Sequence, residues 1–147
     1  MNKSSIFSVF AFKFRFLFES KVRFFFEGEK PSTIDAHNGV VLSISTNGEY
    51  IFTGGDDGRF LKLSQNGDIV EIANFNSRWV DSVAAYKDIM VCSSGRNVYI
   101  WSGDQKKAKS LEHSSTVGGL AFDHTGKRLA VSSYGGVTVW ELSLIHI

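Results

Sequence analysis

The residues able to do chemistry in this chain are few, and their spacing suits none of the common reactions. The four histidines, His37, His113, His124 and His146, show no metal-ligand spacing. The one cysteine, Cys92, lies inside the apolar run "IMVCSSG" and reads as a buried thiol acting as a small hydrophobe, not as a nucleophile. The stretch "GGDDG" (54 to 58) offers two carboxylates but lacks the further oxygen ligands that calcium requires, so Asp57 reads as a turn residue in a structural hydrogen bond. "GEKPST" (28 to 33) holds Gly, Lys and a Ser/Thr pair without the spaced glycines that aim backbone N–H groups at phosphate, and reads as a hairpin loop. No G-x-S-x-G elbow, H-E-x-x-H helix or paired C-x-x-C is present. No catalytic set, no cofactor and no metal is expected.

Composition narrows the classes further. The chain has 147 residues, 43% hydrophobic and 21% charged, which is the range of one ordinary folded domain. With 16 basic and 15 acidic residues the formal charge is +1, so no field to gather nucleic acid is expected. Lone Cys92 excludes an intrachain disulfide framework. The apolar stretch after Lys3, "IFSVFAF", is seven residues long and is followed by Lys13 and Arg15 with no small-residue cleavage site, so a signal peptide is not expected. No run approaches the length of a spanning helix, and the short strands do not suit an outer-membrane barrel. A cytoplasmic protein without membrane contact is the expectation.

The elements that must position any site are strands. Period-two patterning marks "FAFKFRFLF" (10 to 18), "KVRFFFE" (21 to 27), "VVLSIST" (40 to 46), "YIFTGG" (50 to 55), "RFLKLS" (59 to 64) and "DIVEIA" (68 to 73). It continues through "VDSVAAY" (80 to 86), "IMVCSS" (89 to 94), "NVYIWS" (97 to 102), "VGGLAFD" (117 to 123), "RLAVSS" (128 to 133) and "GVTVWE" (136 to 141). Turn signals such as "TNGE", "GDDGR", "QNGD", "SGRN", "SGDQ" and "HTGK" separate them, which predicts an all-β antiparallel chain. The pattern also repeats. "GRFLKLS" (58 to 64) lies over "RNVYIWS" (96 to 102) at a shift of 38, Trp101 over Trp140 at 39, and His37 precedes His113 by 76. The chain is about three and a half copies of a four-stranded unit.

With "DAHNG" and "LEHSS" before the first strands, "TNGEYIFTGG" and "HTGKRLAVSS" as hairpins, and "VYIWS" and "VTVWE" as third strands, the sequence resembles the WD-repeat family of β-propellers. The resemblance implies radially stacked four-stranded blades. It also implies a polar network in each blade joining a loop histidine, a second-strand serine, a turn aspartate and a third-strand tryptophan. Carried over by position, one copy keeps His37 and Asp57 but has Gly55 and Leu63 in the serine and tryptophan places. The next keeps Ser93 and Trp101, with Phe75 for histidine and Gly95 for aspartate; the third keeps His113, Ser132 and Trp140, with Tyr134 for aspartate.

The expected division is a degenerate first blade (1–37), a second (38–75), a third (76–113) and a partial fourth (114–141) in an incomplete ring. The tail "LSLIHI" (142–147) has no repeat-like turn and reads as non-native, one translated frame of an adapter used in DNA-library preparation. Further blades are expected in a longer natural protein. Function is then expected to be that of a non-catalytic scaffold for protein or peptide partners. By the resemblance they would dock on a rim carrying Asn76, Arg78, Trp79, Asp56, Arg96 and Tyr134. The alternative is a propeller-type enzyme whose catalytic residues lie in blades missing from this chain.

Overall fold

The computed structural model describes residues 20–25 and 28–147. The run "FAFKFRFLF", and with it the first two strands expected of the earliest blade, lies outside the described residues. Within them, alternation and tight turns give antiparallel sheets throughout. The first sheet pairs β1 (Lys21–Phe24) with β2 (Ser32–Asp35). The second runs in simple order through β3 (Val41–Thr46), β4 (Ile51–Gly55), β5 (Arg59–Leu63) and β6 (Ile69–Asn74). The third does the same with β7 (Ser82–Tyr86), β8 (Ile89–Ser94), β9 (Asn97–Ser102) and β10 (Lys109–Glu112). The fourth has β11 (Val117–Phe122), β12 (Arg128–Ser133) and β13 (Gly136–Glu141). The period-two reading passes over β10, "KSLE", because a short, half-polar edge strand gives little alternation to detect.

The turns form where the sequence supplies its own hydrogen bonds. In "TNGE" the Asn47 side-chain oxygen accepts the N–H groups of Glu49 and Tyr50. In "DHTGK" the Asp123 carboxylate accepts those of Lys127 and Arg128. These are Asx-type turns, in which the side chain replaces a strand partner for the backbone.

Register shows the repeat directly. Ile51 faces Leu63, Met90 faces Trp101 and Leu129 faces Trp140, each second-strand position following the last by 39 residues. Strands β3, β7 and β11 lie side by side, so the sheets stack face to face about a common edge. The first and second sheets bury Val22, Phe24, Ile51, Leu61 and Leu63 between them. Between the second and third lie Phe52, Phe60, Val83, Cys92 and Trp101, with Phe60 and Trp101 ring centroids 5.6 Å apart. Ala84, Val91, Val98, Ile100, Val117, Leu129 and Val131 fill the space between the third and fourth. Among the described residues the sheets do not close into a ring.

The outer face of the fourth sheet is therefore uncovered. Val98 and Ile100 of β9 are 0% exposed against the fourth sheet, whereas Val137 and Val139, at the same register positions in β13, are 68% and 58% exposed. The terminal residues are not detached from the fold. A 3₁₀ turn over Leu142–Ile145 buries Leu142 in the last core cluster, its N–H donating to the Lys127 carbonyl, and Ile145 and Ile147 pack on the same cluster. The Lys109 ammonium caps this turn by donating to the carbonyls of Ile145 and His146.

Candidate functional site

One end of the stacked sheets is a continuous rim made of the loops 36–40, 56–58, 75–81, 95–96, 113–116 and 134–135. Backbone hydrogen bonds tie neighbouring loops together. The Phe75 N–H donates to the Gly58 carbonyl, Val80 to Gly55, Asp81 to Ser93, His113 to Arg96 and Val117 to Gly95. The Tyr134 N–H closes the row on the Ser115 hydroxyl. Gly58 is required in this rim: its φ is +78°, and a Cβ there would stand 2.1 Å from the Asn76 carbonyl oxygen.

The best-developed polar network surrounds His37, which is buried between the first and second sheets. Its Nε2 lies 2.8 Å from Thr53 Oγ1, and its Nδ1 2.9 Å from Asp57 Oδ1. Asp57 also accepts the N–H groups of Asn38 and Arg59. Burial by itself pushes the Asp57 carboxyl up, but the hydrogen bonds from His37, Asn38 and Arg59 outweigh it and hold the group below the ordinary aspartate range. Thr53 supplies the hydroxyl here. Position counting puts Gly55 in that place, but Gly55 stands against the His37 ring, where a Cβ would come within 2.5 Å of Nδ1. Sequence reasoning passed over Thr53; its signal was the alternation that sets it on the face of Ile51, Leu61 and Leu63.

The same alternation separates residues that counting had grouped. Ser93 pairs with Val98 and so lies on the face toward the fourth sheet, whereas Trp101 packs toward the second. Ser132 pairs with Val137 on the open face, opposite Trp140, which packs against the third sheet. An offset of one residue in a strand moves a side chain to the other face. In register, Cys92 and Val131 stand where Thr53 stands. Burial pushes the Cys92 thiol well up, as expected for an inert core cysteine. Phe75, in the histidine place, stacks on Tyr99 at 4.7 Å between centroids.

His113 and Trp140 do meet: the indole N–H donates to His113 Nε2 over 3.1 Å, with the rings nearly perpendicular. No carboxylate accompanies them, and His113 Nδ1 is buried without a partner.

Of the six rim residues singled out from sequence, Trp79 is 56% and Tyr134 96% exposed. The Arg78 guanidinium lies over the Phe75 ring at 5.8 Å, and Arg78 is exposed. The other three hold loops. Asp56 accepts the Val40 N–H at 2.7 Å, Arg96 pairs with Glu112, and Asn76 has φ +59° at the turn against Gly58. Nearby Asp81 has its carboxyl raised by burial, offset in part by the Gly95 N–H. An open polar depression of about 360 Å³ beside His37 is lined by Ser20, Asp35, Asn38 and Gly39. Among the described residues no three His, Cys, Asp or Glu side chains converge to hold a metal, and no helix is long and apolar enough to cross a membrane.

No curated protein matches the chain. The family model described as WD domain, G-beta repeat matches residues 28–61 and 105–141, segments that contain the His37 and His113 loops. Together with the antiparallel four-stranded sheets stacked at a constant register, these matches show that the chain belongs to the WD-repeat family.

Proposed function

We propose that the chain is a non-catalytic scaffold that holds a protein or peptide partner on the rim built by its inter-strand loops. WD repeats in general serve protein interaction. The observation that carries the rim reading is the exposure of Trp79 and Tyr134 on loops whose backbones are tied down, with Arg78 beside Trp79. Tryptophan, tyrosine and arginine dominate binding hot spots because they bring large area or directional donors with few torsions to freeze. Loops already ordered by backbone hydrogen bonds lose little entropy on binding. Asp56, Asn76 and Arg96 then act by holding the loops in place. A free, buried Cys92 suits the reducing cytoplasm expected for it.

The test is site-specific photocrosslinking in cells, with the reactive group placed at Trp79, at Tyr134 and, as control, at Gln65 in the turn at the opposite end of the sheets. Adducts from 79 and 134 but not from 65 are expected. Equal labelling at all three positions, or labelling from 65 alone, rejects the rim as the docking surface.

A further inference from the structure

The two histidine positions of the rim are built alike except for one part. At His37 the Asp57 carboxylate can only accept, so Nδ1 carries the hydrogen and Nε2 accepts from the Thr53 hydroxyl. At His113 the Trp140 indole can only donate, so Nε2 is bare and the hydrogen again sits on Nδ1. There the likeness ends. His113 is 8% exposed and its Nδ1–H has no acceptor among the described residues. The ring cannot relieve this by moving its proton, because that would break the bond to Trp140.

The turn explains the vacancy. In the second sheet Gly54 pairs with Phe60, leaving a five-residue connection from which Asp57 folds back over His37. In the fourth, Ser133 pairs with Gly136 and only Tyr134 and Gly135 lie between. Tyr134 stands in solvent, and a Cβ at Gly135 or Gly136 would meet nothing within 4 Å. Beside the orphaned N–H, the protein's own chain leaves the space open.

We infer that His113 marks a socket for a carboxylate, and that a partner docked on the rim places an aspartate or glutamate side chain there. The inference rests on the rim reading above. The partner's carboxylate takes the part that Asp57 plays in the second sheet, accepting the His113 Nδ1–H. Ser114, which follows His113 as Asn38 follows His37, stands where a backbone N–H joins in. An anionic acceptor is favoured over a neutral one because charge-assisted hydrogen bonds are roughly twice as strong as neutral ones.

The experiment follows the ring nitrogens of His113 by NMR in the full chain, labelled with 15N-histidine. It is titrated with the capped tripeptides acetyl-Gly-Asp-Gly-amide and acetyl-Gly-Asn-Gly-amide. The Asp peptide is expected to shift the His113 Nδ1 signal saturably, to leave the His37 signals in place, and to bind about tenfold more tightly than the Asn peptide. His113→Phe, the residue type that stands at position 75, removes the response. Since that variant can disturb the blade, Trp140→Phe is the second handle: with Nε2 released the ring changes tautomer freely, and the Asp response weakens.

Equal binding of the two peptides, a response that survives His113→Phe, or a slowly exchanging water on Nδ1 that the Asp peptide does not displace would each overturn the socket. Failure here with crosslinks intact at 79 and 134 rejects the socket alone; loss of those crosslinks rejects the rim.

Discussion

The blade entered through His37 and the blade entered through His113 start from the same residue and finish it differently. The first closes its histidine on both sides, with Thr53 and Asp57, and has no tryptophan, Leu63 filling that place with packing. The second keeps the tryptophan and leaves one ring nitrogen without a partner. What separates them is the hairpin between the second and third strands. A five-residue connection has room for a carboxylate to fold back, and a two-residue one has none. Both blades nevertheless stand, because most of their stability comes from apolar faces buried against neighbours and less from the polar relay.

The sharpest way to break the comparison is to test that last statement. Ile100→Ala, in the buried interface, is expected to cost about 3 kcal/mol, while Val139→Ala, at the same register position on the open face, costs less than about 0.5 kcal/mol. Urea denaturation of the two variants measures both. If they cost the same, the open face is covered in solution. Next in size, Asp57→Ala leaves the His37 Nδ1–H and two backbone N–H groups without their acceptor and is expected to cost about 2 kcal/mol by thermal melting. Tyr134→Ala, at the corresponding turn of the other blade, stays within about 0.5 kcal/mol.

Smaller again, Thr53→Val removes one buried hydrogen bond to His37 and costs about 1 kcal/mol, whereas Ser132→Ala, on the face away from His113, changes stability by less than about 0.5 kcal/mol. Matching losses would mean that Ser132 reaches the histidine after all. The pH dependence is the finest probe. Asp57 is depressed in the folded chain, so its contribution is fully present above the ordinary aspartate range and is lost as pH falls through the lower, folded value. Asp81 is raised, so the sign reverses: it costs stability above its raised value, and the cost fades as pH falls toward the ordinary range. Asp57→Asn should flatten the acid limb of the stability curve, and Asp81→Asn should gain at neutral pH. Curves unchanged by both substitutions would show that neither carboxyl is perturbed.

Much of the fold was legible because strands announce themselves locally. Alternation, Asn-Gly and Asp-centred turns, and the recurrence of Trp101 at Trp140 are visible without any tertiary contact. The polar network was legible only in part. Counting from the tryptophan placed Ser93 and Ser132 in the network, but hairpin length shifts the register, and one residue of shift turns a side chain to the opposite face. Thr53 was missed for the same reason. Strand β10 escaped because an edge strand of four residues needs no apolar alternation to pair.

By itself the sequence determined that this protein is all-β, repeats at nearly 39 residues and carries no contiguous catalytic motif, since backbone propensity, side-chain alternation and turn chemistry act over a few residues. Only the tertiary structure decided which side chains share a face. It closed His37 on Thr53 and Asp57, set Trp140 on His113, buried Val98 and Ile100 while exposing Val137 and Val139, and brought Trp79 and Tyr134 onto one rim. Those outcomes depend on the register between strands and on whether a neighbouring sheet covers the face, and neither is encoded in any single short stretch of chain.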